Sequence, residues 1–328
     1  MNGFLGATAM RNLARLAAAW ALVWIAPAAQ AAPPAPDSLW LISTRELSDC
    51  EPPGENQPQY WYLGKDHQWV AADSKTFLHC DDAHVPTVFF LHGNRFTSQD
   101  AVETGYGVYQ VVMSLADGRP FRFVIWSWPS DRIAGSNRLD VQVKAARSGL
   151  ESCCLAQCVR RIHPDVPVSL IGHSFGARAI GGALKLLVGE EFAGRKLSGL
   201  GVPRRAPLRA VLVAAGMDNT ALLPGSGNGL ALSALDRLLL AYNPEDHVLH
   251  WYRRMYHRRG PDALGYTGPA CTAQLGADAK KIELLDLSCE VGRHHPWEYY
   301  LASPSLRARL VWYAFLAPSA PGRDAQRP

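Results

Sequence analysis

Between residues 86 and 316 the chain alternates two textures. Short runs that are apolar at nearly every position are followed by longer runs in which apolar residues recur every three or four positions. The first kind predicts strands buried on both faces, and the second predicts helices with one apolar side. The strand runs are Thr87–Leu91, Phe121–Trp128, Val166–Ile171, Leu208–Ala215, Leu238–Tyr242 and Lys281–Leu287. Helices are expected from a Thr97 or Ser98 cap to about Leu115, over roughly 138–162, from Ala177 to Val188 and over about 304–316. This alternation predicts an α/β fold class: a mostly parallel central sheet with helices on both faces, its strands joined by right-handed crossovers. Ligands of such sheets bind beyond the carboxyl ends of the strands.

Residues 32–85 are patterned differently. Trp40–Thr44 reads as a short strand, and Tyr60–Leu63 and Gln68–Ala71, separated by Gly64-Lys65-Asp66-His67, read as a hairpin or two edge strands. They are expected to pack on the core as an N-terminal extension. His79–His84 carries metal-capable side chains without regular ligand spacing and reads as an exposed polar loop. The polar, Pro- and Ala-bearing residues 317–328 are expected to form a disordered tail.

With 328 residues, 48% of them hydrophobic and 19% charged, the chain can bury a sizeable core. Arg11 and Arg15 precede the apolar run Leu16–Ala26, and Ala29-Gln30-Ala31 offers a cleavage site. That pattern predicts a secretory signal peptide over residues 1–31 and a periplasmic or secreted product, with no stable membrane insertion after cleavage. Cleavage removes two arginines and no acid, so the net charge falls from +4 to +2. Such a weak balance argues against nucleic acid and against electrostatic membrane docking. All seven cysteines lie beyond residue 31 and read as disulfide formers in an exported protein. The pairs expected are Cys50–Cys80 and Cys271–Cys289, with one bridge among Cys153, Cys154 and Cys158.

The chemistry concentrates at Gly172-His173-Ser174-Phe175-Gly176. A strand that becomes a helix with almost no loop needs one residue in a strained backbone state and small neighbours where the two nearly touch. Here two glycines supply the room, and the apex is a serine whose hydroxyl is pushed outward, the context of a nucleophile elbow. A serine hydroxyl needs a base, and the base needs an orienting acid. In the chain order serine, acid, histidine, the acid candidates are Asp246, which is preferred, and Asp218; each follows a strand. For the base, His295 is preferred over His294, whereas His247, His250 and His257 read as polar residues of a helix. Oxyanion donors are expected from the Phe175 N–H and from the loop His92-Gly93-Asn94, through the Asn94 N–H. Arg95 could line a pocket or pair with an acid. Trp126, Trp128, Tyr106 and Trp297 could line an apolar pocket, with core packing the safer account for at least half.

His92-Gly93 after an early strand, the Gly172–Gly176 pentapeptide, Asp246 and His295 together resemble the α/β-hydrolase superfamily, over about residues 86–316. The likeness is to bacterial serine hydrolases of the esterase and lipase kind with a Ser-Trp-Pro-Ser run, here Ser127–Ser130. It implies a catalytic domain over 86–316 that cleaves a small ester or lipid-like substrate through an acyl-enzyme, with no metal or cofactor. Amide, peptide or thioester cleavage on the same triad, or a non-catalytic binding protein that keeps the fold, are the alternatives. The short stretch at about 219–235 leaves little room for a large cap domain, so an open site is expected.

Overall fold

Strands whose residues are apolar on both faces make up the middle of one nine-stranded sheet. The computed structural model describes residues 34–48, 50, 57–199, 201–256 and 260–317. The expected signal peptide over 1–31 and all but the first residue of the expected tail lie outside them. The strands are β1 (Leu39–Ser43), β2 (Gln59–Leu63), β3 (Trp69–Ala72), β4 (Thr87–Leu91), β5 (Arg122–Ser127), β6 (Val168–His173), β7 (Leu208–Val213), β8 (Arg237–Tyr242) and β9 (Ile282–Asp286). The main helices are α1 (Ser74–His79), α2 (Ser98–Leu115), α3 (Asn137–Arg161), α4 (Phe175–Leu187), α5 (Trp297–Ala302) and α6 (Pro304–Tyr313).

The sheet order is β3-β2-β1-β5-β4-β6-β7-β8-β9. From β1 to β9 every neighbouring pair is parallel; β1–β2 and β2–β3 are antiparallel. Alternate side chains feed two cores. Trp40, Phe89, Trp126 and Leu170 face one side with the inner surfaces of α3 and α4. Val88, Phe90, Ile125 and Val211 face the other with α2, α5 and α6. Trp126, Trp128 and Trp297 are fully buried, and Tyr106 is half-buried against the second core. The aromatic residues are therefore core packing rather than pocket lining. Helix α2 starts at a capping box, in which the Thr97 hydroxyl and the Asp100 carboxylate each accept the other's backbone N–H.

Two buried ionic knots fasten residues 34–85 to the rest. Arg122 on β5 donates to Asp81 at 2.6 Å and to the Phe77 carbonyl at 2.7 Å, with its guanidinium over the Phe77 ring. Glu151 on α3 accepts from the Thr44 hydroxyl at 2.6 Å, Trp126 Nε1 at 3.1 Å and Arg147 Nε at 2.9 Å. Burial pushes the Glu151 carboxyl above its ordinary pKa, against these donors and the Arg147 charge.

Four expectations need correction. Residues 74–79 form a helix capped by Asp73, so His79 belongs to α1, and Asp81 is nearly buried in its pair with Arg122. The disulfide is Cys50–Cys153, across 103 residues, instead of the local pairs Cys50–Cys80 and Cys271–Cys289 and of a bridge within the group Cys153, Cys154 and Cys158. Cys80 is a buried thiol 3.3 Å from the Thr76 carbonyl, while Cys271 and Cys289 are exposed thiols.

Candidate active site

The turn between β6 and α4 holds Ser174 at φ 53° and ψ −113°, in the positive-φ region that non-glycine residues seldom occupy. Three backbone hydrogen bonds over-determine that state. Ser174 N–H donates to Val213 at 3.0 Å, and the Ser174 carbonyl accepts from Gly216 at 3.1 Å and Arg178 at 3.3 Å. A Cβ on Gly172 would lie 2.7 Å from Ala177 N, and one on Gly176 would run into the carbonyls of Leu91 and His92. Both flanking positions therefore need glycine. The serine is buried, with 8% of its surface exposed.

Oγ of Ser174 lies 3.2 Å from Nε2 of His295, and Nδ1 of His295 lies 2.7 Å from Oδ2 of Asp246. A carboxylate can only accept, so the proton sits on Nδ1 and bare Nε2 faces the hydroxyl. Asp246 follows β8 and is completely buried; its Oδ1 accepts the N–H groups of Val248 at 2.9 Å and Leu249 at 3.0 Å. Burial alone would raise its pKa. The hydrogen bond and charge of His295, the Leu249 N–H and the Tyr300 hydroxyl outweigh that and hold it below the ordinary carboxylate value.

The competing residues lie elsewhere. Asp218 accepts the Tyr252 hydroxyl at 2.8 Å, and His294 is exposed and stacked on Tyr299 with ring centroids 3.8 Å apart. His247 Nδ1 meets the Arg293 carbonyl at 2.5 Å, His250 meets the Tyr266 hydroxyl at 3.1 Å, and His257 is outside the described residues.

The loop after β4 lies against Ser174, since a Cβ on Gly93 would come within 3.2 Å of Ser174 Cβ. His92 is fully buried; its Nδ1–H donates to the Gly93 carbonyl at 2.9 Å, and its Nε2 accepts the Trp128 N–H at 3.2 Å. Burial drives its pKa down to about 3, which keeps the ring neutral and able to play both parts. Asp140, buried in the first turn of α3, accepts from Asn94 Nδ2 at 3.2 Å, Arg95 Nε at 3.0 Å and Ile133 N–H at 3.1 Å. Arg95 thus pairs with an acid rather than lining a pocket. Among the described residues no protein acceptor takes the Phe175 or Asn94 N–H.

Sequence reasoning missed Tyr300 and Asp140. The Tyr300 hydroxyl donates to Asp246, yet nothing in the four residues between His295 and Tyr300 marks it. Asp140 looks like an ordinary acid in a helix's first turn, and only the fold shows what it holds.

No family model matches the chain, and no curated protein matches it. Among solved structures, acyl-protein thioesterase 2 from Zea mays is 17% identical over 70% of this chain and 94% of its own, with a TM-score of 0.35. A structure of esterase B from Lactobacillus rhamnosis with a tributyrin phosphonate is 14% identical over 94% of this chain and 91% of its own, with a TM-score of 0.37. The chain's own topology decides its class. A serine turn lies at the centre of a parallel sheet, with an acid after β8 and a histidine after β9 meeting beyond the strands' carboxyl ends; the chain has the α/β-hydrolase fold.

Proposed function

We propose that the chain is an exported serine hydrolase that cleaves carboxylic esters through an acyl-enzyme, with residues 86–316 as its catalytic domain. The observation that carries this reading is the unbroken hydrogen-bonded line from Ser174 Oγ through His295 to Asp246. His295 Nε2 takes the hydroxyl proton as Oγ attacks the ester carbonyl, and Asp246 stabilises the imidazolium that forms. The negative charge that develops on the carbonyl oxygen is met by the N–H groups of Phe175 and Asn94. As the tetrahedral intermediate collapses, His295 returns its proton to the leaving alkoxide and the acyl group stays on Oγ. Water, deprotonated by the same imidazole, then releases the acid and restores the serine.

Export is supported by the leader-like residues 1–31 and by a disulfide, a bond that persists in oxidising compartments. Among the described residues no helix is long and apolar enough to cross a membrane. The test is hydrolysis of short p-nitrophenyl esters. Ser174→Ala should lower kcat by at least roughly a thousandfold and abolish labelling by a fluorophosphonate probe. Full activity in that variant overturns the assignment.

A further inference from the structure

The histidine that serves as base is fastened by a residue to which no motif gives that task. Resting on the reading of Ser174 and His295 above, we propose that His173 is a positioning residue that fixes the height of His295 over Ser174 by gripping the base's own backbone carbonyl.

His173 is the last residue of β6, one peptide before the nucleophile, and is buried. Its Nε2 lies 3.0 Å from the His295 carbonyl oxygen. A carbonyl only accepts, so Nε2 carries the proton and Nδ1 is bare. Nδ1 is buried with no partner, against Gly93, where an added Cβ would sit 3.0 Å away. Burial drives the ring's pKa to about 3, so it remains a neutral donor at any working pH. The ring packs against His295, Trp297 and Tyr300 at centroid distances of 5.0, 5.6 and 6.0 Å. An apolar ring would fill this buried space without leaving a nitrogen unsatisfied, so the single donated hydrogen bond is what accounts for an imidazole here.

The need for that bond follows from how His295 is held. It lies in the irregular stretch 292–296, between a one-turn helix (Ser288–Val291) and α5. Two carbonyls of that stretch are taken from the acid's side: Gly292 by Asn243 Nδ2 at 2.7 Å, and Arg293 by the ring of His247. His173 is the anchor from the nucleophile's side. Because β6 is hydrogen-bonded to β4 and β7, residues 173 and 174 move as one, and the grip refers the base to the peptide that carries the serine. Misplacing a reacting group by about 1 Å can cost on the order of a hundredfold in rate.

The test compares His173→Phe, which keeps ring volume and loses the donor, with His173→Gln, whose side-chain amide reaches about as far as Nε2. On a p-nitrophenyl ester the Phe variant should lose roughly 10- to 100-fold in kcat with KM changed less than about twofold, while Gln should recover most of the loss. Far-ultraviolet circular dichroism and the melting temperature identify a variant that has not folded; should Phe fail there, His173→Asn, too short to reach, takes its place. A donor-free variant within twofold of wild type in kcat, or equal losses for Gln and the donor-free variant, overturns the proposal. Wild-type protein that is inactive, or no more active than Ser174→Ala, instead sinks the hydrolase reading on which the proposal rests.

Discussion

The Tyr300 hydroxyl donates to Oδ2 of Asp246 at 2.9 Å, the same oxygen that accepts His295 Nδ1–H at 2.7 Å. With the two amides on Oδ1, the carboxylate receives four hydrogen bonds and has no freedom to rotate away from the imidazole. Tyr300→Phe removes one of them and strands nothing else, because Asn243 Nδ2 still has the Gly292 carbonyl. A hydrogen bond to a charged group contributes about 1.5 kcal/mol, so kcat/KM should fall roughly tenfold. Steady-state kinetics on a p-nitrophenyl ester checks this, and an unchanged kcat/KM would remove Tyr300 from the account.

Asp140 ties the loop after β4 to the loop before α3 through Asn94, Arg95 and Ile133. Asp140→Ala should loosen the amide of Asn94 while leaving the Ser174–His295–Asp246 line in place. The expected result is a kcat lowered by roughly 10- to 100-fold. Affinity for a trifluoromethyl ketone, which captures the serine as an oxyanion adduct, should weaken in parallel. Parallel loss in both measurements separates a disturbed oxyanion loop from general destabilisation, which would appear in the melting temperature alone.

Stability should be lost on mild acidification. His92 and His173 titrate near 6.5 in an unfolded chain, whereas burial pushes both down to about 3 in the native one. Between those values the unfolded chain binds protons that the native chain refuses. The native state therefore keeps its full advantage above pH 6.5 and loses it as the pH falls toward 3. At pH 5 each histidine should have cost roughly 2 kcal/mol relative to pH 8. Asp246, held below its ordinary value, adds to the loss in the same direction at lower pH. Urea unfolding at pH 8 and pH 5 measures the difference, and His173→Gln should shrink it.

The bond between Cys50 and Cys153 closes a long loop, so Cys50→Ser should destabilise the fold by about 2 to 4 kcal/mol. Cys271→Ser and Cys289→Ser, at exposed thiols, should be close to neutral. Denaturant midpoints and peptide mapping under non-reducing conditions give the answer. A Cys271–Cys289 crosslink in the map would contradict the pairing described here.

What the residues disclosed in advance follows from where each kind of information lies. Strands β4 to β8 were legible because both faces are buried, so their runs are apolar at nearly every position. Helix α1 was not, since six residues are too few for a helical period to stand out. Ser174 could be picked out because its own neighbours must be glycine for local steric reasons. Asp246 and His295 could be ordered after it because each follows a strand end. The disulfide escaped because spacing along a chain says nothing about which distant cysteine a fold brings near. The grips of Tyr300, Asp140 and His173 escaped for the same reason, since each is made across the sheet's upper edge between segments far apart in sequence.

The pairing of β1 with β5 has a practical corollary for anyone trimming this chain. A fragment starting at β4 would expose β5, Arg122–Ser127, as a bare apolar margin ready to zip onto another molecule. It would also strip Glu151 of its Thr44 hydroxyl and Arg122 of Asp81, leaving two sealed charges short of partners. Such a truncate should emerge as inclusion bodies, and the shortest useful expression product begins upstream of Leu39.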